Sequence, residues 1–154
     1  MKKLLPWIIL LILAATLLAI SFCDPYILSD ENDFLHNFVG HQLLSTLGFI
    51  LAITLASAAN IHLELNRLES EATIKFERTR KSISYSAYSL IAIFLISFGL
   101  VIIKPVVADS HFDESIANLI AILLVYFNLS VLYDLTRTVH KIPPVSKLSA
   151  DTSG

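Results

Sequence analysis

The chain has 154 residues, of which 55% are hydrophobic and only 16% charged, well below the roughly 25% charged of ordinary soluble domains. A globule this small has too little interior to hide that much apolar surface, so the composition excludes an ordinary soluble domain and points to lipid as the solvent. The net charge of −2 carries no signature of nucleic-acid binding, and one cysteine, Cys23, leaves no internal disulfide and no Cys/His metal pattern.

Residues 1–23 place Lys2 and Lys3 ahead of a long apolar run. The run exceeds the ~7–15-residue apolar core of a signal peptide, so it reads as a retained span over about 4–22. A cleaved signal peptide ending at Ser21 is the alternative. Asp24-Pro25 ends this span, and residues 24–34, DPYILSDENDF, form a short acidic loop.

The stretch Leu35–Asn60, LHNFVGHQLLSTLGFILAITLASAAN, has no charge and no proline. About 20 helical residues cross a bilayer's hydrocarbon core, so a second span is predicted over 35–59. Ser45, Gly48, Ala52 and Ala56 recur on one face of it. Small residues at such spacing let helix backbones approach closely in lipid, which marks a seam for packing or self-association. Whether the partner is an internal helix or another copy stays open.

Beyond Asn60 the helical pattern continues but turns polar, with Ile61, Leu65, Leu68, Ala72 and Phe76 on one stripe. A turn near Glu69-Ser70-Glu71, with Ser70 capping the next helix, predicts a helical hairpin over 60–84. It would stand about 15 Å clear of the membrane. A single helix turning only at Ser82–Ser84 is the competing geometry. The third span is predicted over 85–107, with Tyr85 and Tyr88 at an interfacial belt. Residues 108–114 form a second acidic loop. The fourth span is predicted over 115–133, with its helix continuing toward His140 until Pro143-Pro144. A polar tail over 143–154 follows.

Charge sorts these segments. Lys2, Lys3, Arg67, Lys75, Arg78, Arg80, Lys81, Arg137, Lys141 and Lys147 lie on one side, leaving Lys104 as the lone basic residue elsewhere. Asp24, Asp30, Glu31, Asp33, Asp109, Asp113 and Glu114 lie on the other. The positive-inside rule puts both termini and the hairpin in the cytoplasm. The expected fold is all-α: a single transmembrane domain over 1–154, built as an antiparallel four-helix bundle with a cytoplasmic hairpin. A bacterial inner membrane is its expected location.

Four polar residues fall near the outer leaflet on three helices: His41, Gln42, Lys104 and Asn118. Polar groups in hydrocarbon are costly and face partners or water. These would line an outer vestibule, or else Lys104 snorkels and the rest bond between helices. Asn128, with Thr54 and Ser89 at similar depth, suggests an interhelical cluster or a constriction. Arg67, Lys75, Arg78, Arg80 and Lys81 would meet lipid headgroups or a cytoplasmic protein. Asp134 and Arg137 read as an i,i+3 pair. The histidines suggest haem or metal only if they meet across helices, and His62, His111 and His140 fall at or beyond span ends. No catalytic motif is present, and neither a metal nor a cofactor is expected. The basic run has no recognition fold beside it, so sequence-specific nucleic-acid binding is not expected.

In topology and size alone, the chain resembles small four-span membrane subunits of bacterial operons, including effectors of anti-phage systems. The resemblance rests on no motif. It implies a small, homo-oligomeric, non-enzymatic protein that acts on the membrane as a pore or docks a cytosolic partner. A channel or solute transporter using the outer polar residues, and a haem-bearing electron carrier, are the other readings.

Overall fold

The computed structural model describes residues 5–72 and 76–140. Nearly all of the described residues are helical, and none of them lies in a strand. Helix α1 spans Leu5–Cys23. A single 3-10 turn follows at Pro25–Ile27, then the short helix α2 at Asp33–Asn37. The three long helices are α3, Leu43–Ala72; α4, Glu77–Val107; and α5, His111–Val139.

Three helical stretches are long and apolar enough to cross a membrane, namely α2 through α3, α4 and α5. The apolar helix Trp7–Cys23 is shorter. Large apolar side chains point outward along all of them: Leu11 is 67% exposed, Phe49 69% and Leu95 61%. Water would penalise these surfaces heavily. In hydrocarbon they are at ease, and the backbone polar groups are already satisfied within the helices.

The second apolar stretch is not one straight rod. Between α2 and α3 the chain passes through a wide turn at Phe38–Gln42, and Val39 (φ −80°, ψ 68°) and Gly40 (φ −172°, ψ −129°) leave helical conformation. The expected unbroken helix from residue 35 is therefore kinked at Val39-Gly40, a break that glycine's low helix propensity favours.

The polar turn also sits later than expected. Helix α3 runs through Ala72 and α4 begins at Glu77, so the reversal falls after Ala72; 73–75, including Lys75, lie outside the described residues. Residues 82–84 are plain helix in α4, which removes a turn at Ser82–Ser84. Ser70 does not cap the next helix; its Oγ donates back to Arg67 O at 2.7 Å. The capping acceptor is Glu69, whose Oε1 takes the Phe76 backbone N–H at 2.8 Å. Arg80 Nη2 then donates to Asn66 Oδ1 at 2.7 Å and Glu69 Oε2 at 2.9 Å, clipping the two arms together.

Two apolar clusters hold the helices. One gathers Leu17, Leu28, Leu35, Val39, Leu43, Leu47, Leu119 and Ala121 at the acidic end. The other joins Ala58, Leu65, Ile83 and Leu135 at the basic end, with Ile61 and Phe76 against it. Leu65 and Phe76 belong to the predicted stripe, and Leu135 shows that α5 buttresses the hairpin's base. Helix α5 ends at Val139 with His140 N donating to Thr136 O at 3.1 Å. Pro143, Pro144 and the polar tail lie outside the described residues.

Candidate functional site

The acidic end carries a polar knot. Lys104 stands in the last turn of α4, where the helix dipole favours a cation. It is only 8% exposed. Its Nζ donates to Asp30 Oδ1 at 2.6 Å and to Asn118 Oδ1 at 2.8 Å. Asn118 Nδ2 donates to Leu28 O at 2.8 Å and to Asp30 Oδ1 at 3.0 Å, so this buried amide bonds through both its oxygen and its nitrogen. The loop is shaped to deliver Asp30. Ser29 N reaches back to Pro25 O at 2.9 Å, and Asn32 Oδ1 caps α2 through Phe34 N and Leu35 N.

Secondary contacts brace the knot. Asp30 N donates to Glu114 Oε2 at 3.2 Å, His111 Nδ1 lies 3.5 Å from that oxygen, and His36 Nδ1 lies 3.5 Å from Asp30 Oδ2. Ser115 Oγ donates to Ser21 Oγ at 2.8 Å, both fully buried, which ties α5 to α1. Burial pushes the Asp30 carboxyl up, but hydrogen bonds from Lys104 and Asn118 and the Lys104 charge outweigh it. The net shift is below the ordinary carboxylate value.

Of the four residues expected at an outer vestibule, Lys104 and Asn118 meet directly. His41 and Gln42 are exposed just past the kink, and no bond joins them to the knot among the described residues. Lys104 does not snorkel; it turns inward to a counter-ion. Asp30 is not among the residues the sequence singles out; the sequence signals only that Lys104 needs some carboxylate. Lys104 is the one basic residue at the acidic end, and a buried ammonium needs a carboxylate.

Elsewhere the expected sites scatter. Asn128 is 2% exposed, and its Oδ1 finds no hydrogen-bond partner among the described residues. Thr54 Oγ1 donates to Ile50 O of its own helix at 2.7 Å, and no hydrogen bond joins Asn128 to Thr54 or Ser89 among the described residues. On α3, Ser45, Ala52 and Ala56 are exposed, and Gly48 alone is partly covered, by Phe94 of α4. Among the basic residues, Arg80 is consumed by the hairpin clip, Arg67 lies 3.8 Å from Glu64, and Arg78 and Lys81 are exposed. Asp134 and Arg137 form no ion pair with each other, contrary to the spacing argument. Both instead line a groove of about 960 Å³ between α1, α4 and α5. A smaller notch of about 290 Å³ opens beside the hairpin between Ile61, Leu65, Leu68 and Val139.

No group of three or more His, Cys, Asp or Glu side chains is placed to hold a metal ion among the described residues. No family model, curated protein or solved structure matches the chain.

Proposed function

We propose that this is a non-enzymatic, four-span membrane protein that self-associates through α3 and offers its hairpin to a cytoplasmic partner. The spans form an antiparallel bundle with both termini on the cytoplasmic face of a bacterial inner membrane. Paired contacts support the bundle. Ser21 meets Ser115 while Trp7 packs on Phe127 with ring centroids 6.1 Å apart, and Lys104 meets Asn118 while Ser82 meets Thr138.

The observation that carries the reading is the exposure of Ser45, Ala52 and Ala56. A small-residue face left uncovered by its own chain is suited to close approach by another helix. The clip through Arg80 stiffens the hairpin, and the apolar notch beside it gives a partner side chain a seat. A transport path through the knot is disfavoured, because Lys104 and Asn118 are already engaged by protein groups. The topological likeness to small membrane effector subunits points the same way.

The test is disulfide trapping in native membranes, in a Cys23→Ser background. Ala52→Cys and Ala56→Cys should give a covalent dimer on mild oxidation, whereas Leu95→Cys on the exposed face of α4 should not. Equal trapping at all three positions, or none, would reject self-association through this face.

A further inference from the structure

The groove between α1 and α4, floored by α5, has an uneven lining. Asp134 and Arg137 stand at its rim, together with Tyr133. Ile9, Leu10 and Phe127 lie deeper, past Ser86, Ser89 and Ser130, the last of which spends its hydroxyl on Tyr126 O at 3.0 Å; Phe127 is seven residues below Asp134, about 10 Å along the helix. The polar-to-apolar gradient therefore runs parallel to α5. Tyr85 and Tyr133 border its rim at 76% and 70% exposure, and such aromatics sit at headgroup level; Trp7 packs on Phe127 at the deeper level. A groove that starts polar in that belt and deepens into an apolar slot matches an amphiphile lying along the membrane normal.

The charges choose the headgroup. The rim holds one carboxylate and one guanidinium, and they do not pair with each other. A purely anionic ligand would face Asp134, and a purely cationic one would face Arg137. A zwitterion satisfies both. We infer that the groove holds a phospholipid with a primary-amine headgroup, its phosphate on Arg137 and its ammonium on Asp134. Guanidinium suits phosphate through paired N–H donors. A primary ammonium donates hydrogen bonds to a carboxylate, whereas a quaternary one has none to donate. A second copy's apolar helix in the groove would leave both charges unmatched.

The inference rests on the membrane reading above, and a carbonate wash of native membranes tests that reading separately. The intact chain in mild detergent is titrated with dioleoyl-phosphatidylethanolamine, -phosphatidylcholine and -phosphatidylglycerol and followed by native mass spectrometry. Phosphatidylethanolamine should bind about fivefold more tightly than either rival, the ratio for one added charged contact. Asp134→Asn should erase its advantage over phosphatidylglycerol. Arg137→Gln should weaken all three lipids, and Asp109→Asn at the opposite end should change nothing. Equal binding of the three lipids, a preference that survives both rim variants, or displacement of the lipid by soluble phosphoethanolamine would each overturn the assignment. A chain that stays in washed membranes yet shows no preference sinks the lipid site alone.

Discussion

Removing the negative charge of Asp30 should destabilise the protein more than removing the positive charge of Lys104, and removing both should cost least. In Asp30→Asn the Lys104 ammonium stays 8% exposed with only neutral acceptors around it. Breaking a buried pair in this way costs about 3–5 kcal/mol. The Asp30 side chain is 24% exposed, so water recovers part of that, and about 2–3 kcal/mol is expected. Lys104→Met strands a carboxylate that water can reach, so about 1–2 kcal/mol is expected. The double variant leaves no buried charge and should fall within about 1 kcal/mol of the parent. For a chain of this length each kcal/mol moves the midpoint by about 2–4 °C, which puts Asp30→Asn roughly 4–12 °C below the parent. Apparent midpoints at one scan rate, read by size-exclusion after heating in detergent, resolve this. Equal midpoints for Asp30→Asn and the double variant, or a larger loss in Lys104→Met, would refute the charge-pair account.

The Asp30 carboxyl is held below its ordinary value of 3.8, so the folded state binds fewer protons there than the unfolded one. Its contribution is present above that pH and is lost as pH falls beneath it. The midpoint difference between parent and Asp30→Asn should therefore be constant near neutrality and shrink in acid below pH 3.8. A Cβ added at Gly48 would meet Phe94 Cε2 at 3.4 Å, an ordinary contact. Gly48→Ala should thus be neutral or stabilising by up to about 1 kcal/mol, whereas Gly48→Leu should displace Phe94 and cost about 1–3 kcal/mol in the same thermal assay. Arg80→Ala removes the clip between the hairpin arms. Amide exchange across 66–80 should rise several-fold, with the spans unaffected.

Helical class and the apolar stretches are legible because hydropathy and length act locally along the chain. The stripe Leu65, Leu68 and Phe76 is legible for the same reason, and Leu65 and Leu68 are buried. The kink is half-legible: Gly40 stands in the right place, but glycines also occur at positions 48 and 99 in unbroken helix. The hairpin turn falls later than its sequence suggests because neither glycine nor proline marks it. What fixes it is a carboxylate from Glu69 reaching seven residues forward. The partner of Lys104 lies 74 residues away, in a loop with several acids to choose from, and local spacing cannot single out Asp30. Ser45, Ala52 and Ala56 are legible as a small-residue stripe, but that the chain leaves them exposed depends on how α3 rotates against α4, which local spacing does not set.

The knot also bears on the order in which the molecule can be assembled. Asp30 arrives with the first loop, Lys104 only after α4, and Asn118 only after the start of α5. Until that last segment is in place, the ammonium lacks its amide partner and the early loop lacks the strap on Leu28 O. The acidic end therefore closes last, and a chain released before residue 118 would carry an incompletely matched cation there. That is a handle by which quality control could tell an unfinished chain from a finished one.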